Sequence, residues 1–357
     1  MDRIDGLAHL QTAVGEACRL AVQAVLGREW RPAVPWASKK KLWRALPLAA
    51  SSLAACNGHG ELCGKRYSDV TFVGSHNSAF VGPTPTHNQY VSVTDQLNLG
   101  VRFLQAQTHD KGGTIEMCHT YCWELDSGPL ARYLGEIAAW MDGHPGDVVT
   151  LLLTNEDAIP VGRFDDVFGR TGLKRYAFRP RGVLSRRQWP TLRELIDAQT
   201  RLVVFMGTSC RHVLPSPINK IMPCPFKATN GGIRAGGGKD YFTDQTEVDY
   251  LISEFDYFWE TPYGVTDKMF PTCSVDRPFW GDPQRLMGIV NHMLNVRIGG
   301  IVFPDQVNAK TTNSLDSITK QVVLCESQGK PRPNVILLDY INVGEAQQAQ
   351  LKFNGLA

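Results

Sequence analysis

The sequence predicts an α/β chain whose parallel strands close into an irregular TIM-type (β/α)8 barrel. Three observations predict it. Short runs that are apolar on both faces recur about eight times after Cys56, as strands of a covered parallel sheet do. Amphipathic helical stretches lie between several of them. Two of the runs end in a histidine: His76 in VTFVGSHNSAF and His119 in TIEMCHTYC. A histidine fills a core poorly, but at the end of a parallel strand it points at a ligand above the sheet. Two such rings, one to take a proton and one to give one, are what in-line cleavage of a phosphodiester needs. A doubly wound open sheet would show the same alternation, but no Gly-rich nucleotide loop is present.

The elements follow in order. Val70–Val73 is the first strand, and a helical stretch lies near Ser92–Leu99. Val101–Gln107 and Thr114–Cys118 are the second and third strands. Pro129–Asp142 carries Leu130, Leu134, Ile137 and Trp140 at helical spacing. DVVTLLLT (Asp147–Thr154) is the fourth strand, Thr191–Ala198 a short helix and LVVFM (Leu202–Met206) the fifth strand. Tyr250–Phe255 is read as the sixth, and NVILLDY (Asn334–Tyr340) as the eighth. Gly288–Leu294 reads equally as a seventh strand or a helix. Residues 211–247 interrupt the alternation with Pro215, Pro217, Pro223, Pro225 and GGIRAGGG, the composition of an inserted surface loop. The glycines before Lys239 lack the preceding strand and the GK[ST] ending of a phosphate loop.

Residues 1–55 look unlike barrel. Leu7, Leu10, Val14, Cys18 and Val22 have helical spacing, and 39–55 (KKKLWRALPLAASSLAA) has the anatomy of a secretory signal or an anchor, displaced from Met1. The division expected is therefore an extension, 1–55, and a barrel, 56–357, with its insertion at 211–247. The ending FNGLA carries no lipid-anchor signal. A formal charge of +2 speaks against a nucleic-acid partner, and the basic runs Lys39–Lys41 and Arg179–Arg187 read as solvated surface. None of the nine cysteines has CxxC or finger spacing, so structural zinc is not expected. Cys56/Cys63 and Cys118/Cys122 are disulfide candidates, the second flanking His119, and they imply an extracellular compartment.

From Cys56 onward the chain resembles the fungal branch of the phosphatidylinositol-specific phospholipase C-like phosphodiesterases. The segments that carry the resemblance are CNGHGELCGKRYSDVTFVGSHNSAFV, LNLGVRFLQAQTHD, CHTYCWELDSGPLARYLGEIAAWMDGHPGDVVTLLLTNED, WPTLRELIDAQTRLVVF, SEFDYFWETPYGVTD and NVILLDYINVG. The resemblance implies an irregular TIM-type barrel and a phosphoric diester hydrolase. In it His76 is the general base on the attacking hydroxyl, and His119 protonates the leaving alcohol. Asp339 orients the first ring, as the aspartate of a serine-protease triad does. Asn77 would donate to a phosphoryl oxygen. Calcium-dependent relatives carry acidic residues where this chain has Gln105 and Gln107, and Glu156, beside Asp157, is the one carboxylate that aligns loosely with a metal ligand. A hard dication wants several anionic oxygens, so neither calcium nor another metal or cofactor is expected.

Metal-independent relatives place an arginine at the position of Gln107. Arg102 is five residues earlier on the same strand and faces the other side by period two, so the transition-state charge has no evident counter-charge. The expected substrate-binding set is Asn77, Gln105, Gln107, Asn155 and Glu156, with His109 and the aromatics Trp123, Tyr257, Trp259 and Tyr263 at the mouth. The expected partner is a phospholipid or a small phosphodiester, met with peripheral membrane contact by a monomer. The competing reading is a catalytically weak barrel serving as a binding or accessory protein.

Overall fold

The inward-facing positions of eight parallel strands set the architecture. The computed structural model describes residues 55–207, 226–229, 232–235, 248–298 and 301–357. The extension, with its segment 39–55, therefore lies outside the described residues but for its last residue. So does most of the insertion at 211–247.

The strands are β1 (Phe72–Ser75), β2 (Phe103–Lys111), β3 (Thr114–Cys118), β4 (Asp126–Pro129), β5 (Val149–Asn155), β6 (Leu202–Gly207), β7 (Phe226–Thr229), β8 (Gly232–Ala235), β9 (Leu251–Ser253), β10 (Phe258–Glu260), β11 (Met287–Asn291), β12 (Asn295–Ile298), β13 (Ile301–Pro304) and β14 (Val335–Leu338). Eight of them run parallel in the order β10-β11-β14-β1-β2-β5-β6-β9. The fold is thus an irregular TIM-type barrel, and its irregularity has a definite place. Strands β9 and β10 are the two ends of the hydrogen-bonded order, yet only Glu254–Tyr257 separates them in sequence. Parallel neighbours need a crossover of about a dozen residues or more. These two strands are instead successive parts of one bent stretch, the first lying on β6 and the second on β11.

Two expectations change. Thr114–Cys118 is a strand but not a stave of the barrel. It folds back antiparallel on β2, which outruns its neighbours and turns through Gly112 and Gly113 at φ of 61° and 86°. The missing stave is β10, whose three residues are too few for a periodic signal. At Gly288–Leu294 the alternatives resolve to a strand, β11. Within the insertion, β7 and β8 form an antiparallel pair.

Alternation divides the core into two layers. Val73, Leu104, Leu151, Leu153, Val204 and Ile336 face outward into the core layer that also holds the buried Leu130, Leu134, Ile137 and Met141 of helix Leu130–Gly143. Phe72, Phe103, Leu152, Phe205, Phe258, Ile289 and Leu337 face inward and plug the barrel. Phe258 meets Phe205 at 4.9 Å and Phe103 at 6.1 Å between ring centroids, both edge to face. Gly74 leaves them room, because a Cβ there would lie 3.1 Å from both Phe103 and Val335. Arg102 faces outward as its parity requires. It bonds Asp147 at 2.9 Å and lies over Trp140 at 4.6 Å. Caps sharpen the short helices: Ser92 accepts from Asp95 N–H at the start of Val93–Asn98, and Thr191 and Glu194 form a capping box on Leu192–Asp197.

Three disulfides join described residues, Cys56–Cys63, Cys118–Cys122 and Cys273–Cys325. The third spans 52 residues and ties the loop after β10 to helix Leu315–Ser327. Serine at both Cys273 and Cys325 is expected to lower unfolding stability by about 2–4 kcal/mol, read as a shift of the urea midpoint, whereas a local loop of the Cys56–Cys63 kind should lose less.

Candidate active site

Along each inward column the residues turn from apolar to polar at the C-terminal ends of the strands. Phe72 and Gly74 lead to His76, Phe103 to Gln105 and Gln107, and Leu152 to Thr154 and Glu156. Ile289 leads to Asn291, Leu337 to Asp339 and Phe258 to Glu260. Together these ends surround a cavity of about 100 Å³ lined by His76, Gln105, Gln107, Thr154, Glu156, Glu254, Glu260, Tyr263, Arg277 and Asn291, over Leu152, Met293 and Leu337.

His76 continues the ladder of β1, its N–H donating to the Leu338 carbonyl at 2.9 Å. Its Nδ1 lies 2.8 Å from Oδ1 of buried Asp339. A carboxylate accepts, so the proton sits on Nδ1 and Nε2 is left to act as a base. Two residues that the sequence reading missed hold this pair. Asn88 donates to the same Asp339 oxygen at 2.9 Å. Gln89 donates to the His76 carbonyl at 2.7 Å and the Leu338 carbonyl at 3.2 Å, and accepts from Ile341 N–H at 3.0 Å. The Asn313 amide secures the Asp339 carbonyl from the other side, at 2.8 Å. Adjacent amides in a polar loop carry no motif, which is why Asn88 and Gln89 do not stand out in the sequence.

Asn77 is buried with φ of 48°, a left-handed conformation that asparagine tolerates better than most residues. Its N–H donates to Gln105 Oε1 at 2.8 Å, and its side-chain amide has no partner among the described residues. Gln105 is spent at both ends, donating in turn to Thr154 Oγ1 at 3.3 Å. Gln107 accepts from Thr120 N–H at 3.1 Å, which brings the loop after β3 to the cavity rim. That loop carries His119, is closed by Cys118–Cys122, and sets the half-buried ring 5.5 Å from Phe80, edge to face. Phe80 in turn donates its N–H to the Asn77 carbonyl. His119 and the His76 loop thus meet at one end of the barrel.

Several expected residues stand elsewhere. Asn155 has outward parity on β5, and both ends of its amide bond Ile159, at 2.8 and 2.9 Å, so it closes its own loop instead of facing a ligand. Trp259 has outward parity too and packs with Cys273, Val290 and Cys325. Tyr257 is buried under Trp189 and Phe205. Of the four mouth aromatics, only Tyr263 lines the cavity, while Trp123 is 82% exposed on the His119 loop. His109 has the inward parity and bonds Asp157 at 3.1 Å.

The sequence reading also missed a charged group at the bend between β9 and β10. Glu254 and Glu260 are buried and hydrogen-bonded to each other. Glu254 fits because Gly207 opposes it, where a Cβ would sit 2.3 Å from its Oε2. The loop after β10 returns antiparallel beside Glu260 and delivers Arg277, whose NH2 donates to Glu260 Oε2. Burial, then the neighbouring Glu260 charge, push the Glu254 carboxyl well above its ordinary value. Burial pushes Glu260 up too, but Arg277 and hydrogen bonds outweigh it and hold it down. Glu254 is therefore the protonated member and Glu260 the ionised one.

A family model described as PI-PLC X 1 matches residues 62–218 and 238–354. The chain belongs to this family. It is 43% identical over 317 residues to PI-PLC X domain-containing protein 1 of Arthroderma benhamiae, covering 87% of this chain and 92% of that one. It is 34% identical over 301 residues to an uncharacterized secreted protein of the same organism, covering 81% of this chain and 60% of the relative. Among solved structures, phosphatidylinositol-specific phospholipase C from Listeria monocytogenes superposes with a TM-score of 0.48 at 12% identity, over 83% of this chain and 97% of that one.

The raised Glu254 has a measurable consequence. Between the ordinary glutamate value of 4.5 and its own higher one, the folded chain holds a proton that the unfolded chain has lost. Glu254 therefore makes stability fall as pH rises through that window. Urea midpoints measured across it should fall in the parent protein and be flatter in Glu254→Gln.

Proposed function

We propose that the chain is a phosphodiesterase of the phospholipase C type that works by acid–base catalysis without calcium. His76 takes the proton of the attacking hydroxyl as its oxygen bonds phosphorus. His119 gives a proton to the alcohol oxygen whose bond to phosphorus breaks. Asp339 holds the His76 tautomer and stabilises the imidazolium that forms. The observation that carries this reading is the His76–Asp339 hydrogen bond above the barrel plug, since a ring braced through one nitrogen exposes the other as a base. The donors at the mouth suit a dication poorly. Gln105 is spent on Asn77 and Thr154, and the Glu254–Glu260 pair is closed by an arginine. A binding or accessory protein is the second reading, favoured by Gln107 standing where metal-independent relatives carry a cation.

The substrate class we propose is a phospholipid or a related diester met at a lipid surface by a monomer. Tyr121 and Trp123 on the His119 loop, Tyr263 and Met269 after β10, Val302 on β13 and Val307 after it are exposed on segments that follow strand ends at the mouth side. The membrane contact we propose is peripheral, made by these exposed apolar side chains; among the described residues no helix is long and apolar enough to cross a membrane. We also propose an extracellular location, for which the three disulfides argue.

Turnover of phosphatidylinositol vesicles and of a chromogenic phosphodiester, each with and without EDTA, tests the mechanism. His76→Ala and His119→Ala should each lose about 10²–10⁴-fold in kcat, with a bell-shaped pH profile in the parent protein. Loss of activity with EDTA would remove the calcium-free clause, and absent turnover on every diester with vesicle binding retained would favour the accessory reading. Separately, alanine at both Tyr121 and Trp123 should weaken vesicle co-sedimentation by about tenfold or more, as expected from the apolar area withdrawn from the interface.

A further inference from the structure

Phosphoryl transfer needs positive charge where negative charge gathers, and that stabilisation is usually the largest catalytic term. Strand β2 offers none: Gln105 and Gln107 face the cavity, and Arg102 is turned outward onto Asp147 and Trp140. Among the described residues that line the cavity, Arg277 is the only arginine or lysine. It comes from the opposite wall, on the loop that pairs antiparallel with Glu260.

We propose that Arg277 is the catalytic cation of this site, contacting the phosphate and neutralising the charge that the amides of β2 leave unmet. The proposal rests on the phosphodiesterase reading above. Three features support the assignment. The guanidinium is aimed, because Glu260 takes NH2 and the Tyr263 ring lies 4.6 Å beneath its central carbon. It has a donor unspent, since the bond from NH2 is the only one the guanidinium makes among the described residues and leaves NH1 uncommitted, while Nε is buried out of a ligand's reach. Its anchoring pair also carries a single negative charge, because the two glutamates share a proton, so an incoming anion is not met by two carboxylates. A planar fork anchored through NH2 keeps NH1 in a fixed direction for a phosphate oxygen. Arg277 transfers nothing in the step; the hydroxyl proton goes to His76, and the leaving alcohol takes one from His119.

The test compares Arg277→Met with the double variant Arg277→Met/Glu260→Gln, which strands no buried charge. Three readouts apply: turnover of a chromogenic phosphodiester, calorimetric titration with inorganic phosphate, and thermal melting. Both variants should lose about 10²–10³-fold in kcat/KM, as for removal of one transition-state donor. Phosphate affinity should fall at least tenfold, the double variant should melt like the parent protein, and added guanidinium ion should restore part of the turnover. Turnover within threefold of the parent in the double variant, or unchanged phosphate affinity, overturns the assignment. If the parent turns over no diester, the hydrolytic reading fails by itself, and the phosphate titration still decides whether Arg277 holds the anion.

Discussion

The structure depends on one constraint: in a curled parallel sheet, alternate residues of every strand point at the same axis. At the lower level that axis is filled by Phe72, Phe103, Phe205 and Phe258, and at Gly74 a side chain would crowd Phe103 and Val335. One step higher the same columns become His76, Gln105, Gln107, Thr154, Glu260 and Asn291. The aromatic plug is what makes the upper level a site. It fills the axis beneath the polar ends with apolar side chains and lowers the local dielectric in which their charges act.

Burying Asp339 at this level is unfavourable unless its hydrogen bonds are met. Oδ1 accepts from both His76 and Asn88, while Oδ2 is buried with no partner among the described residues. An anion so placed would stabilise positive charge on the ring hydrogen-bonded to it, which is what the role proposed for His76 as a base requires. The bracing by Asn88, Gln89 and Asn313 then has a mechanical purpose. Gln89 ties the loops after β1 and β14 to one another through two backbone carbonyls and an N–H group, Asn313 holds the Asp339 carbonyl, and Asn88 holds the carboxylate itself, so imidazole and carboxylate are braced on the same frame.

What the sequence made legible follows from the length of each signal. Long apolar runs such as DVVTLLLT and LVVFM marked staves directly, His76 stood out because it ends such a run, and Asp339 was marked by the family resemblance. Parity alone was enough to turn Arg102 outward. The same rule, applied to Asn155 and Trp259, would have removed both from the mouth, since each is one residue out of step with its inward neighbours. Strand β10 was hidden because three residues cannot display a period, and with it went Glu260 and its partner Arg277, which is 17 residues away. Thr114–Cys118 misled for the opposite reason: it has the composition of a stave, but two glycines turn β2 back before any crossover can form.

The bend between β9 and β10 and the glutamines of β2 bear on the same physical problem. A barrel mouth built from strand ends has few places where a charge can be buried with a partner at hand. Ladder pairing holds the β2 wall in register with β1 and β5, and there Gln105 serves as a connector, accepting from Asn77 and donating to Thr154. A carboxylate in its place could accept the first bond but could not donate the second. At the bend, strand pairing lapses, and a loop can return beside the chain and carry a cation inward. Glu254, Glu260 and Arg277 occupy that gap, with Gly207 opposite to admit Glu254. Charge is therefore sited where the backbone leaves room for it, and the neutral amides are sited where the backbone needs both a donor and an acceptor.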